Sequence, residues 1–543
     1  MLGLMQNQPL LISSLIEHAA ATHLHAEIVS CTPQSGLRRH TYAELAKRAG
    51  QVAGALTAGG VTEGMRVATL AWNTHRHIEL LYGASGIGVV LHTVNPRLYP
   101  EQLEYIINHA GDRYIFLDAS FLPLIERLAP RLENVQRYVV LTTPQHMPQS
   151  DSVDLICYEE WIGAHSPRVD WPQFDENTAS SLCYTSGTTG HPKGVLFSHR
   201  STVLHAMAAC MGNAFALTAT DTVLLAAPMF HANGWGMPYA AALSGASMVL
   251  PGPTLDGAKV YDLLRTEEVT AAVGVPTVWL MLQQYVQAQG LRPKEELRLQ
   301  RILVGGAAVP RSVVEFFETE CNARVIHAWG MTETSPLGTV CRPLRKHDTS
   351  SRQQRMELQL KQGRVLFGVD IKVTGPEGDC PHDGRTAGRL LVRGHWVASG
   401  YYGTDAGRIL DADGWFDTGD IATVDADGYL QITDRAKDVI KSGGEWISSI
   451  ELENAAMSHP AVGEAAAIGV PHSLWQERPL LLVVRKPGQQ VTEQELLGFL
   501  AGKLVKWWMP DNVVFVAELP HTATGKLQKA VLRDQYARGE LPV

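Results

Sequence analysis

The chain has 543 residues, 45% hydrophobic and 19% charged, with 49 glycines and a formal net charge of −9. That length exceeds what one hydrophobic core normally serves, so two or more domains are predicted, and the apolar share excludes a chain disordered throughout. The acidic balance, with no basic tract and no basic stripe interleaved with aromatics, argues against nucleic acid as a partner.

The opening "MLGLMQNQPLLISSLIEHAA" is apolar in patches but carries no basic leader and has Glu17 and His18 inside its amphipathic run, so no secretion signal is expected. Thr41 and Glu44 form a capping-box pattern ahead of a helix that Gly59 and Gly60 should end, followed by the strand "MRVATLAW". Pro100 should open the helix "EQLEYIINHA", and "RYIFLD" reads as the next strand.

At 181–200 the chain reads "SLCYTSGTTGHPKGVLFSHR". Glycines let backbone N–H groups converge on an anion, and hydroxyls plus one ammonium add donors, so a phosphate is the expected guest. The pattern is not the phosphate loop G-x-x-x-x-G-K-[ST], because Gly187 and Gly190 are too close and Gly194 follows Lys193. Taken alone, an ordinary Ser/Thr/Gly turn between strands would satisfy the same composition.

The alternation resumes with "DTVLLAAP", then "VYDLLRTEEV", "TAAVGV", "TVWLMLQQYVQ" and "RILVGG" as helix, strand, helix and strand. Repeated β and α at this spacing predicts parallel sheets covered by helices. Beyond about residue 360, "DIKVTGPEGDC", "GRLLVRGHWVASGYY" and "GYLQITD" are short strands divided by turn residues, hence a small β region. The end of the chain is α with β again. "SIELENAAMSHP" is a helix, "VGEAAAIGV" and "PLLLVVRK" are strands, and Thr492 with Glu495 should cap a helix running through "EQELLGFLAGKLVKWW" to a stop at Pro510. The expected architecture is α/β: a large N-terminal domain, 1–435, of helix-covered sheets with the small β region, and a smaller mobile α+β domain, 436–543, joined at "DRAKD". The seven cysteines include no C-x-x-C pair, which fits a reducing compartment and no zinc site. No run reaches the roughly 18 apolar residues of a membrane span, so a cytoplasmic enzyme without an integral membrane segment is expected.

"YTSGTTGHPKG" at 184–194, "HAWGMTETSP" at 327–336, "DGWFDTGD" at 413–420, "DRAKDVIKSGGEWI" at 434–447 and "PHTATGK" at 520–526 occur in the order found in adenylate-forming enzymes. Over nearly its whole length the chain resembles the acyl-CoA synthetase branch of that superfamily. The opening "MLGLM", the stretch "AWNTHRHIELLYGASGIGVVLHTVNPRL" and the tryptophan of "WGMTE" are similar to bacterial medium-chain fatty acyl-CoA synthetases and equally to methylmercaptopropionate-CoA ligases. The medium-chain reading is preferred, with methylmercaptopropionate or another short carboxylate as the alternative.

The resemblance implies an ATP-dependent ligase. The acid's carboxylate attacks the α-phosphate of ATP, pyrophosphate leaves, and the CoA thiol then attacks the mixed anhydride. Because two anions meet in the first step, charge neutralisation and placement are the main demands, which Mg2+, lysines and backbone amides can meet. On the family pattern Thr185, Ser186, Gly187, Thr188, Thr189, Gly190 and Lys193 form the loop that cradles the β- and γ-phosphates. Thr332 would hold the α-phosphate, Glu333 would bind Mg2+, and Trp329 would face adenine. Trp329 without its neighbours would read as a core aromatic. The surrounding His327, Ala328, Gly330 and Met331 belong to the same motif, while Gly305, Gly306 and Ala307 would let backbone approach the nucleotide and the acyl carbonyl. Asp420 would accept the ribose hydroxyls, with Arg435 and Ile432 beside it. Lys526 would be the catalytic lysine of adenylation. Lys437 would be the hinge about which "KSGGEW", Lys441, Ser442, Gly443, Gly444, Glu445 and Trp446, comes to the CoA channel. His231 and Trp235 would border the acyl pocket, with Trp235 as a gate, although either could be a core residue. The implied partners are a carboxylic acid, ATP and CoA, and a homodimer is expected. A luciferase-type oxidase, a carrier-protein loading module and a silent nucleotide binder are the rival readings. Lys193 and Lys526 argue against the last.

Overall fold

Thr41 caps the helix Tyr42–Ala58 as its sequence predicts: the threonine oxygen accepts the Glu44 N–H, and the Glu44 carboxylate accepts the Thr41 N–H at 2.8 Å. The structure, a computed structural model, describes residues 1, 3–34, 36–185, 191–403, 409–443, 445–521 and 527–541. The chain forms two compact units, Met1–Asp370 with Arg393–Gly414, and Ile371–Val392 with Trp415–Val543.

The first unit is built on two sheets. One has seven strands in the order Leu155–Cys157, Arg137–Val140, Tyr114–Leu117, Arg66–Leu70, Val90–Thr93, Ala179–Tyr184 and Gly194–Ser198. Every neighbouring pair is parallel except the last, an antiparallel hairpin. The other has nine strands, with a parallel core of Arg324–Gly330, Arg301–Val304, Ala271–Gly274, Thr222–Leu225, Ser247–Leu250 and Glu27–Thr32 and antiparallel strands at both margins. Strands such as Tyr114–Leu117 and Ala271–Gly274 are buried at every position, the continuous apolar reading expected of parallel strands covered on both faces. Trp279, fully buried, sets its ring edge-on to Phe317 at 5.6 Å and anchors the helices against the nine-stranded sheet.

The second unit contains most of a five-stranded sheet in the order Gly378–Asp379, Val369–Gly375, Gly388–Gly394, Phe416–Val424 and Leu430–Arg435. A further sheet pairs Gln476–Arg485 with Val462–His472 antiparallel and with Asn512–Phe515 parallel. Alternation along these strands separates two cores. Ala465, Ala467, Leu481 and Val483 meet the helices Ser449–Met457 and Glu493–Ala501, while Ala466, Ile468, Leu480 and Leu482 meet Leu532 on the helix Lys529–Ala537.

The helix opened by Thr492 is shorter than the sequence pattern suggests. It ends at Ala501, Gly502 takes the cap position, and a separate turn, Lys506–Trp508, precedes Pro510. Glycine is a poor helix interior residue, and the apolar run "LVKWW" continues the pattern without continuing the helix. Residues 435 and 436 both fall within the second unit. Among the described residues no helix is long and apolar enough to cross a membrane.

Candidate active site

In open parallel sheets ligands gather outside the carboxyl ends of the strands. Ala179–Tyr184 delivers the glycine- and hydroxyl-rich loop at such an end, and Thr185 donates its N–H to the Lys193 carbonyl at 2.9 Å across the loop's base. Ser186, Gly187, Thr188, Thr189 and Gly190 lie outside the described residues. The stem is braced by aromatics: the His191 ring stacks on Tyr105 at 4.3 Å, Tyr105 on His109 at 5.3 Å, and His109 Nδ1 lies 2.7 Å from the Tyr184 hydroxyl.

The strand Arg324–Gly330 ends in the short turn Thr332–Thr334. Gly330 has no alternative, since a Cβ there would lie 1.7 Å from the Pro336 carbonyl oxygen. Glu333 is buried, and its Oε1 accepts the hydroxyl of Tyr401 at 2.8 Å. The Lys193 ammonium sits 4.9 Å from the centroid of the same Tyr401 ring. Thus two candidate residues read from separate motifs converge on a third residue that the sequence patterns did not single out. Burial, and then the Glu333 charge, pushes the Tyr401 hydroxyl pKa upward, so it stays a donor. The segment carrying Tyr401 is fixed at both ends: Ser335 Oγ donates to the Trp396 carbonyl at 2.7 Å, Ala398 N–H to the Glu333 carbonyl at 2.8 Å, and Tyr402 N–H to the Gly194 carbonyl at 2.8 Å.

Other members of the motif differ in burial. Trp329 is 8% exposed and packs on Gly338. His327 is buried, with Nδ1 3.0 Å from the Leu360 carbonyl, and burial lowers its pKa to about 4, which makes it a neutral donor holding the strand. Thr332 and Met331 are half-buried, Ala328 is buried, and Gly306 and Ala307 are exposed at the end of Arg301–Val304.

His231 and Trp235 flank an unusual turn. Ala232, Asn233, Gly234, Trp235 and Gly236 all have positive φ, at 33°, 43°, 61°, 57° and 70°. Non-glycine residues resist this region, so the surroundings must hold the turn. Asn233 is the fastener: its Oδ1 accepts from Ser181 Oγ at 2.6 Å and its amide nitrogen lies 3.3 Å from Thr93 Oγ1. Asn73 braces the approach, donating to the Leu225 and Ala227 carbonyls and accepting the Met229 N–H. The result aims the Trp235 ring at the glycine pair, where a Cβ on Gly305 would lie 3.5 Å from it. His231 is half-buried, edge-on to Phe230 at 4.9 Å.

In the second unit Asp420 and Arg435 face each other across paired strands, and Arg435 Nε lies 2.9 Å from the buried Asp420 Oδ1. Ile432, half-buried, pairs with Ala422 on the same ladder. Lys437 is exposed, and its neighbour Asp438 pairs with Arg533 at 2.8 Å. Lys441 and Ser442 lie in Ile440–Ser442, which pairs antiparallel with Glu445–Ile447, so Lys441 lies opposite Trp446 and Ser442 opposite Glu445. Gly443 donates its N–H to the Trp475 carbonyl at 2.9 Å. Gly444 and Lys526 lie outside the described residues.

Among the described residues no group of three or more His, Cys, Asp or Glu is placed to hold a metal. One buried carboxylate, with lone pairs left after accepting from Tyr401, suits Mg2+, which keeps waters and takes its other ligands from substrate phosphates.

The model of the AMP-binding enzyme family matches residues 16–402, and that of the AMP-binding enzyme C-terminal domain matches 451–526. The chain is 50% identical to a 3-methylmercaptopropionyl-CoA ligase of Ruegeria pomeroyi, covering 99% of both chains. It is 47% identical to a medium-chain-fatty-acid–CoA ligase of Ectopseudomonas oleovorans, covering 99% of this chain and 98% of that one. Its fold matches the crystal structure of the anthranilate CoA ligase AuaEII in complex with anthranoyl-AMP, with a TM-score of 0.85 at 26% identity over 99% of this chain and 100% of that one.

Proposed function

The chain belongs to the AMP-binding enzyme family, and from that premise we propose that it activates a medium-chain fatty acid with ATP and transfers the acyl group to CoA. An acid oxygen attacks the α-phosphorus, the bond to the β-phosphate oxygen breaks and pyrophosphate leaves. The CoA sulfur then attacks the acyl carbonyl, and AMP leaves. The observation that carries the reading is the convergence of Lys193 and Glu333 on Tyr401 beside the carboxyl ends of parallel strands, a cation and an anion that, among the described residues, form no ion pair with each other, where a magnesium-bound triphosphate needs both.

In this reading Lys193, with Thr185, Ser186, Thr188 and Thr189, receives the β- and γ-phosphates. Thr332 hydrogen-bonds the α-phosphate, and Glu333 holds Mg2+, which supplies charge neutralisation to the polyphosphate. Asp420, oriented by Arg435, accepts the ribose hydroxyls. Lys526 neutralises the meeting carboxylate and phosphate. Lys437 is the pivot between residues 1–435 and 436–543, and Lys441 to Trp446 serve the thioester step. We place the enzyme in the cytoplasm as a homodimer.

The relatives at 50% identity favour a second reading, methylmercaptopropionate as the acid, with the same chemistry and a shorter pocket. Pyrophosphate release measured over propionate, methylmercaptopropionate, octanoate, palmitate and cinnamate separates the two. In an apolar tunnel each methylene adds up to about 0.8 kcal/mol until the tunnel is full, so activity should climb to an optimum near octanoate. A sharp maximum at methylmercaptopropionate with a fall at octanoate installs the second reading, and no acid-dependent pyrophosphate release removes both.

A further inference from the structure

Tyr401 lies in "SGYY", outside every stretch from which the nucleotide chemistry is read, yet it is the residue that Lys193 and Glu333 share. An ammonium and a carboxylate so close to a common neighbour would gain Coulomb energy by pairing directly, and an incoming nucleotide would have to break that pair. Among the described residues no ion pair joins Lys193 to Glu333. An aromatic face attracts an ammonium without neutralising its charge, and a phenol hydroxyl donates one hydrogen bond to a carboxylate while leaving it lone pairs to spend.

We infer that Tyr401 is a positioning residue that holds the Glu333 carboxylate with its hydroxyl and the Lys193 ammonium with its ring, so that the two charges remain available to metal and phosphate instead of quenching each other. The inference rests on the proposed reading of the site. The ring can do this because its place is set by backbone: Ala398 N–H on the Glu333 carbonyl and Tyr402 N–H on the Gly194 carbonyl bracket it, and each of those acceptors belongs to or adjoins one of the two motifs. The strap from Trp396 to Tyr402 therefore fixes the distance between the loop's lysine and the turn's glutamate through main-chain bonds. Tyr401 does not touch the reacting atoms in this assignment. It acts through its two neighbours.

The test is equilibrium ATP binding by calorimetry across a Mg2+ titration, made on the wild type, Tyr401→Phe, Tyr401→Leu, Glu333→Gln and the Tyr401→Phe/Glu333→Gln double variant. Phe keeps the ring and loses the hydroxyl, so the Mg2+ concentration for half-maximal ATP binding should rise about tenfold, the effect of losing one hydrogen bond to a charged group. Leu also loses the ring and should weaken ATP binding further at saturating Mg2+. On the Glu333→Gln background, Tyr401→Phe should add nothing, because the carboxylate through which it acts is gone. An unchanged Mg2+ requirement in Tyr401→Phe, or an equal shift on both backgrounds, overturns the assignment. If Tyr401→Phe does not fold, Tyr401→Met is judged by the same criterion. A wild type that binds no ATP at any Mg2+ concentration would instead overturn the underlying reading.

Discussion

Asp118 follows the strand Tyr114–Leu117, and its Oδ2 accepts the Trp72 N–H at 2.7 Å. Burial raises its pKa from 3.8 to about 7, against the opposing pull of the Trp72 N–H and of Arg76. The folded protein therefore keeps this proton over a range in which the unfolded chain has released it. Stability falls as pH rises between those two values, by roughly 1.4 kcal/mol per pH unit at the steepest. Asp118→Asn keeps an oxygen for Trp72 but cannot ionise. Urea unfolding at about pH 5 and about pH 7 should show the variant gaining on the wild type at the higher pH, whereas parallel profiles would show that Asp118 does not titrate in this way. Residues of this kind are illegible in sequence, because burial decides their chemistry. Lys193 and Glu333 are legible as candidates because each sits in a spaced motif. Tyr401 is not, since only the backbone strap reveals that the first of two tyrosines after a glycine reaches both.

Elements that announce themselves chemically are found readily. The capping boxes at Thr41 and Thr492 are in place, and Pro100 opens the helix Pro100–Ala110. The end of the helix Glu493–Ala501 is hidden, because "LVKWW" preserves the apolar pattern beyond the point where Gly502 releases the helix. The left-handed turn at 232–236 is hidden too: Ser181, Thr93 and Cys183, distant in sequence, reveal why Asn233 tolerates a φ of 43°. Asn233→Ala should cost about 2–3 kcal/mol in urea unfolding, combining lost buried hydrogen bonds with a left-handed conformation that alanine resists. Asn233→Gly loses the same bonds but accepts the conformation, so it should recover about 1 kcal/mol of that loss. Equal losses in the two variants would mean that backbone strain does not matter there.

At the scale of the whole molecule, β and α alternation in sequence foretells the parallel cores of both large sheets, because parallel strands need helical crossovers. What it does not reveal is how the chain returns between units: Ile371–Val392 belongs with the second unit and Arg393–Gly414 with the first, a weave that local patterns do not encode. In the proposed mechanism one chain runs two half-reactions and Lys526 serves the first alone. Lys526→Ala, assayed separately for acid-dependent pyrophosphate release and for thioester formation from supplied acyl-adenylate and CoA, tests it most directly. Adenylation should fall by orders of magnitude while thioester formation stays near the wild-type rate, and equal loss in both steps would contradict that role for Lys526.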